Sequence, residues 1–266
     1  MIVVEGFSKA YDDRLAVQAL GFTVEPGEVV GLVGPNGAGK TTTMRAITGI
    51  LRPTSGTIRV AGFDVQAEPV EAKRRLALVP DDPPLFAGLT VWEHLHLSAQ
   101  LYGVADWQPA AGSLLDRFDL ADRRDTLADE LSRGMRQKTA MCAALLHRPQ
   151  VLLLDEPLTG LDPRAIRTLY GAVREAARDG AAVLLSSHLL GQIEQLCTGF
   201  VILREGRLVV EGTREEIRAR MPELREDASL EEIFFHATEG APGAAAAPPP
   251  PERGPAEPGD ASAASP

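Results

Sequence analysis

Leucine-rich and β-branched runs alternate along this chain with stretches whose apolar residues recur at helical spacing. That alternation predicts an α/β sheet with parallel strands, which we place at 29–33, 76–79, 151–154 and 182–185. Two regions depart from it. Residues 1–25 and 57–65 read as short antiparallel strands, as does a hairpin over 201–210 around Glu205-Gly206. Residues from about 84 to 147 are instead helical, with Leu and Ala on amphipathic spacing. The predicted fold is therefore an α/β core with an antiparallel β subdomain and an inserted helical subdomain. Helix starts are marked where Thr or Ser is followed three residues on by Glu, at Thr90, Thr213 and Ser229, because such a pair caps an N-terminus reciprocally. Asp162-Pro163 offers another cap, with proline at the first helical position.

One strand-to-helix junction carries chemistry. Gly34-Pro35-Asn36-Gly37-Ala38-Gly39-Lys40-Thr41 follows a buried strand and opens a helix at 41–49, matching G-x-x-x-x-G-K-[ST]. Gly34, Gly37 and Gly39 permit backbone conformations closed to other residues and bring N–H groups close to phosphate oxygens. The helix behind them aims its positive dipole end at the same anion. Lys40 is expected to reach the β and γ phosphates of a nucleoside triphosphate, and the Thr41 hydroxyl to ligate magnesium, with Thr42 beside it among the nucleotide-binding residues. Downstream, four apolar residues lead into Asp155-Glu156-Pro157. Adjacent carboxylates at a strand end, after such a loop, point to triphosphate hydrolysis, with Asp155 as magnesium anchor and Glu156 as general base on the attacking water. A merely solvated acidic strand end fits poorly, because the apolar run enters it directly and Pro157 turns the chain away.

Composition narrows the setting. At 266 residues, 44% of them hydrophobic, the chain has ample material for a core. No apolar run reaches the roughly 18 residues that span a bilayer, and the first residues lack the pattern of a signal peptide. The expectation is a cytoplasmic protein that meets a membrane only through a partner. A formal charge of -10 argues against a broad nucleic-acid-binding face, so no nucleic acid is expected as partner. Cys142 and Cys197 lack metal-ligand or redox spacing and read as small buried apolar residues. From Gly240 to Pro266 there is no aromatic and no β-branched residue, and we read 238–266 as a disordered tail after a folded unit of 1–237.

Leu131-Ser132-Arg133-Gly134-Met135, about twenty residues before the carboxylate strand, resembles the LSGGQ signature of the ATP-binding cassette (ABC) ATPases, nucleotide-binding subunits of ABC transporters with a P-loop NTPase core. The resemblance runs from residue 2 to about 237. It implies ATP and Mg2+ as cofactors, Tyr11 stacking on adenine, and a D-loop at 158–162 whose Asp162 helps couple two active sites. It also implies that His188, after Ser186-Ser187, donates to the γ-phosphate and holds Glu156 and the water in register. Ser132 and Gly134 would face the γ-phosphate bound by the opposite subunit, so that ATP closes a homodimer or heterodimer and hydrolysis opens it. A helix N-terminus with an uncapped N–H and a serine hydroxyl suits that anion.

Departures from the family pattern are local. Asp81, in Val79-Pro80-Asp81-Asp82, stands where the family carries the glutamine of its Q-loop. Either Asp81 ligates magnesium with added charge beside the γ-phosphate, or Asp82 is the equivalent position. Arg133 and Met135 replace Gly and Gln outside the positions that face phosphate, so ATPase activity should survive. With one cassette and no fused transmembrane segment, the chain resembles the stand-alone ATPases of multidrug and ABC-2 type exporters. That implies a separately encoded permease and a peripheral place on the inner face of the cell membrane. Residues 229–235 resemble the C-terminal helix of that group, and 89–94 a segment near the surface that meets the membrane partner. An importer ATPase is the nearest alternative. A soluble ABC ATPase acting on ribosomes or DNA is more distant, since those usually carry two cassettes or a long coiled-coil insertion.

Overall fold

The computed structural model describes residues 1–239 apart from residue 13. β1 (Ile2–Tyr11), β2 (Arg14–Val24), β4 (Ser55–Val60) and β5 (Phe63–Asp64) form an antiparallel sheet in the order β2-β1-β4-β5. β3 (Val29–Val33), β6 (Leu76–Val79), β7 (Val151–Asp155), β8 (Ala182–Ser187), β9 (Gly199–Arg204) and β10 (Arg207–Gly212) form the second, in the order β10-β9-β3-β8-β7-β6. Its strands are parallel from β9 to β6, and β10 pairs antiparallel with β9. The four parallel strands expected from the sequence stand in place, with β7 and β8 running on through Asp155 and Ser187.

The N-terminal strands differ from the short ones expected. They are 10 and 11 residues long, and register shifts between Val4 and Phe7 and between Phe7 and Ala10 interrupt their pairing. Gly6 takes φ +58 and Ala19 φ +46 within these bulges, which break the apolar alternation and make long curled strands look short.

α1 (Lys40–Ile47) and α2 (Pro69–Lys73) lie between the first strands of the parallel sheet. The helical insertion follows β6 as α3 (Val91–Tyr102), α4 (Trp107–Arg117) and α5 (Arg133–Leu146). α6 (Pro163–Arg178), α7 (Leu190–Ile193), α8 (Arg214–Ala219) and α9 (Leu230–Glu239) complete the helices. α9 ends two residues past the boundary placed at 237, and the tail expected from Gly240 onward lies outside the described residues.

Alternation along the parallel strands separates two cores. Val30, Leu32, Val151, Leu153, Ala182 and Leu184 face one cluster with Met44 and Ile47 of α1 and the buried residues of β1, β2 and β4. Val29, Val33, Leu152, Leu154, Val183 and Leu185 face the other, with Leu95, Leu115 and Met141 of the helical insertion and Leu169 and Val173 of α6. Strands covered on both faces are apolar throughout, which is why they were legible as uninterrupted runs. The three Ser/Thr–Glu caps form: Thr90 with Glu93, Thr213 with Glu216, and Ser229 with Glu232, each exchanging both hydrogen bonds. Cys142 is buried and Cys197 nearly so, and burial pushes both thiols well above their ordinary pKa. No helix among the described residues is long and apolar enough to cross a membrane.

Candidate functional site

Register across the parallel sheet brings the predicted motifs to one edge. Val33 lies opposite Ser187, Asp155 opposite Ser186, and Val79 opposite Leu154. The glycine-rich loop, the two carboxylates, His188 and the Asp81-Asp82 turn therefore all leave the carboxyl ends of neighbouring strands, where open α/β sheets take ligands.

The loop is shaped by close approaches that only glycine permits. A Cβ at Gly34 would lie 2.6 Å from the Leu203 carbonyl oxygen, and one at Gly39 2.9 Å from Val17 Cγ2, with Gly39 at φ +102 and Gly37 at φ +82. Ala38 is buried, and its carbonyl accepts the Gly206 N–H from the β9–β10 turn, pinning the loop from below. Gly39 caps α1 without any side-chain hydrogen bond, so the first-turn N–H groups, including those of Thr41 and Thr42, have no side-chain cap. Open N–H groups, glycines in the left-handed region and a helix dipole fit a polyphosphate.

Lys40 is 8% exposed and donates from Nζ to the carbonyls of Gly34 at 2.7 Å and Pro35 at 3.3 Å. Burial lowers its pKa, and the charges of Glu156 and Asp155 oppose that shift. Pro35 and Asn36 are exposed beside it, as is Thr41. Tyr11 ends β1 and is 45% exposed, with the Lys9 ammonium 5.1 Å from its ring centroid.

Ser186 organises the carboxylates. Its hydroxyl donates to Asp155 Oδ1 at 2.5 Å and accepts the Glu156 N–H at 3.0 Å, while its own carbonyl accepts that N–H at 3.2 Å. Glu156 takes φ +49, a left-handed backbone that costs a side-chain-bearing residue about 1–3 kcal/mol and recurs at functional sites. This turn swings its carboxylate to His188, whose Nδ1 lies 2.8 Å from Oε2 and whose backbone N–H donates to the same oxygen at 3.3 Å. A ring that donates from Nδ1 has only a lone pair on Nε2 unless it carries both protons. No group of three or more His, Cys, Asp or Glu among the described residues could hold a metal by itself, so a cation at Asp155 would draw further oxygens from a bound phosphate, as magnesium does.

The residues expected to act across subunits stand apart from this cluster. Ser132 is exposed and caps α5 by accepting the Met135 N–H at 3.3 Å. The uncapped N–H expected there is thus occupied, which leaves the serine hydroxyl free to donate. Gly134 sits close to the loop that leaves Glu156, since a Cβ there would lie 3.0 Å from the Gly160 carbonyl oxygen. Asp162 caps α6 by accepting the N–H groups of Ala165 and Arg164, which hold its carboxyl below the usual carboxylate range. Asp81, expected among the magnesium ligands, pairs with the Arg133 guanidinium at 2.7 Å.

Residues 17–159 match the family model described as ABC transporter. Over 240 residues the chain is 34% identical to the ABC-type transporter ATP-binding protein EcsA of Bacillus subtilis, covering 90% of this chain and 96% of that one. The chain belongs to the ABC transporter family. It is also 38% identical over 223 residues to the daunorubicin/doxorubicin resistance ATP-binding protein DrrA of Streptomyces peucetius, covering 83% of this chain and 67% of that one. A solved ATP-binding subunit of an ABC transporter matches it with a TM-score of 0.86 at 36% identity, over 89% of this chain and 99% of that one. This ABC protein is therefore an ATP-binding subunit and an ATPase, built on the P-loop NTPase fold.

Two features of the ABC site escaped the sequence. Ser186 reads in the sequence only as a neighbour of His188, although a serine register-matched to Asp155 on the next parallel strand is a signal once strand order is known. The pairing of Asp81 with Arg133 joins residues 52 apart, and neither residue type alone announces it.

Proposed function

We propose that this ABC ATPase powers export through a separately encoded permease of the ABC-2 type, working as one of two nucleotide-binding subunits that close on ATP and reopen on hydrolysis. The observation that carries this reading is the division of the chemistry. The loop, Asp155, Glu156 and His188 share one edge of the sheet, while Ser132 is exposed at the start of α5 with no part in that cluster. An exposed helix start with a serine hydroxyl is suited to the γ-phosphate held by a second subunit.

Within one site, Lys40 and the loop N–H groups bind the phosphates, Tyr11 offers its ring to the base, and Thr41 and Asp155 hold Mg2+. When bound, that ion neutralises charge on the phosphoryl oxygens. Glu156 orients the attacking water and takes its proton, and His188 fixes the Glu156 carboxylate against rotation.

Export is favoured by the relatives' functions as their names give them: DrrA confers daunorubicin and doxorubicin resistance, and a Nod factor export ATP-binding protein of Burkholderia thailandensis is 39% identical over 206 residues. A groove lined by Phe86, Gly88, Leu89 and Leu97 in the helical insertion supplies an exposed apolar surface for the permease, which would hold the subunit at the cytoplasmic face of the membrane. The test is purification of the tagged protein from detergent-solubilised native membranes. A stoichiometric polytopic membrane protein is the expected companion. Ribosomal or DNA-associated partners without one would move the protein to the soluble class.

A further inference from the structure

Two consecutive aspartates follow β6, and two arginines one turn apart open α5. They pair in register. Arg133 Nη2 lies 2.7 Å from Asp81 Oδ1, and Arg136 Nη2 lies 3.8 Å from Asp82 Oδ1. β6 is the edge strand of the core sheet and α5 belongs to the helical insertion, so both pairs cross the seam between core and insertion.

Arg133 has a second neighbour. A Cβ at Gly160 would sit 3.5 Å from Arg133 Cδ and 3.9 Å from Nε, so the arginine stem lies across the loop that leaves Glu156. Gly134 approaches the same loop through the Gly160 carbonyl. From the start of α5, beside Ser132, one side chain therefore touches two other segments: the Asp81 turn and the loop between Glu156 and Asp162.

About half of each side chain of the Arg133–Asp81 pair is exposed, 45% and 47%, so the pair adds little to fold stability. Its leverage is geometric, because displacing a positioned group by about 1 Å can cost a hundredfold in rate. We propose that Arg133 is a positioning residue of the ATPase: by bridging Asp81 and the Gly160 loop, with Arg136 and Asp82 as a second rung, it sets where Ser132 and Gly134 stand relative to Glu156. Asp81 then serves as an arginine's partner rather than a magnesium ligand. The inference rests on the reading that Ser132 and Gly134 complete an ATP site.

A double-mutant cycle tests it. Asp81→Asn, Arg133→Gln, the two combined, and Arg133→Lys are compared in kcat, in ATP Kd by nucleotide titration, and in the Mg2+ concentration giving half-maximal rate. Each single change should lower kcat by about three- to tenfold while Kd stays within about twofold, and the combination should be no slower than the slower single. Arg133→Lys should recover most of the rate by restoring the charge. Parent-like kcat in either single, effects that multiply in the combination, or a Kd that rises in step with the loss of kcat would each overturn the proposal. So would a raised Mg2+ requirement in Asp81→Asn alone, which is the mark of a metal ligand. Parent-level turnover in Ser132→Ala would instead sink the reading beneath it, whatever the cycle shows.

Discussion

At the carboxyl edge of the parallel sheet, Lys40 and Asp155 are each 8% exposed and Ser186 is fully buried, whereas at the start of α5 Ser132 stands in solvent and Arg133 and Asp81 keep nearly half their side-chain surface. The first region is fixed from within: strand register places the groups, and buried hydrogen bonds hold Lys40 and Asp155, while His188 reaches solvent from the same edge. The second is held by charge pairs that water screens and by a glycine-to-carbonyl approach. A site whose chemistry is preorganised in one chain, and whose proposed completing surface is left exposed, is one that assembly can switch. The two regions should therefore fail differently when perturbed.

The largest effect is expected at Glu156. Glu156→Gln keeps the shape of the side chain and removes the proposed base, so turnover should fall by about 10²–10⁴-fold, as for the loss of general-base catalysis, while ATP affinity remains. Because the exposed half is untouched, ATP should still drive association, read as a doubling of mass in sedimentation. Phosphate release near the parent rate would remove Glu156 from its role. A mass that stays monomeric at saturating ATP would instead break the link between the two regions.

Ser186→Ala is a smaller test of the buried half. The change leaves the buried Asp155 carboxylate without its hydroxyl donor and takes one of two acceptors from the Glu156 N–H. A buried polar group left unsatisfied costs about 1–3 kcal/mol, so the thermal midpoint should drop. Since the same hydroxyl steadies the left-handed turn at Glu156, kcat should fall about tenfold. Unchanged stability with unchanged kcat would mean that the strand ends are held by register alone.

The contrast between the regions also governs how much of each was legible in the sequence. The buried half is written in local pattern: uninterrupted apolar runs for β3, β7 and β8, glycines where close approach demands them, and carboxylates directly after a strand. Besides Ser186, its unannounced element is the left-handed Glu156, because a glutamate at φ +49 carries no local signal of the kind a glycine gives. The exposed half depends on which loops tertiary folding sets side by side. Arg133 and Asp81 read separately as departures from a motif, and only the packing of α5 against the end of β6 makes them partners. The long N-terminal strands were obscured for a third reason, since bulges at Gly6 and Ala19 break the period that reveals a strand.

Gly134→Ala probes the exposed half with the smallest change, and two opposing terms set its sign. Within α5, alanine is favoured over glycine by about 1 kcal/mol through helix propensity. Against that, the new Cβ would meet the Gly160 carbonyl oxygen at 3.0 Å, so the start of the helix or the loop must give by a few tenths of an ångström. We expect the two terms to offset, so the thermal midpoint of the subunit should stay close to that of the parent. ATP binding to the loop around Lys40 should also be unaltered. What moves is the position of Ser132 beside the loop leaving Glu156, so ATP-driven association should weaken and turnover fall severalfold. Measured together, an unchanged midpoint and an unchanged ATP Kd with a reduced kcat would locate the defect in the completing surface alone. A lowered midpoint would show that the approach of Gly134 to Gly160 serves the fold first.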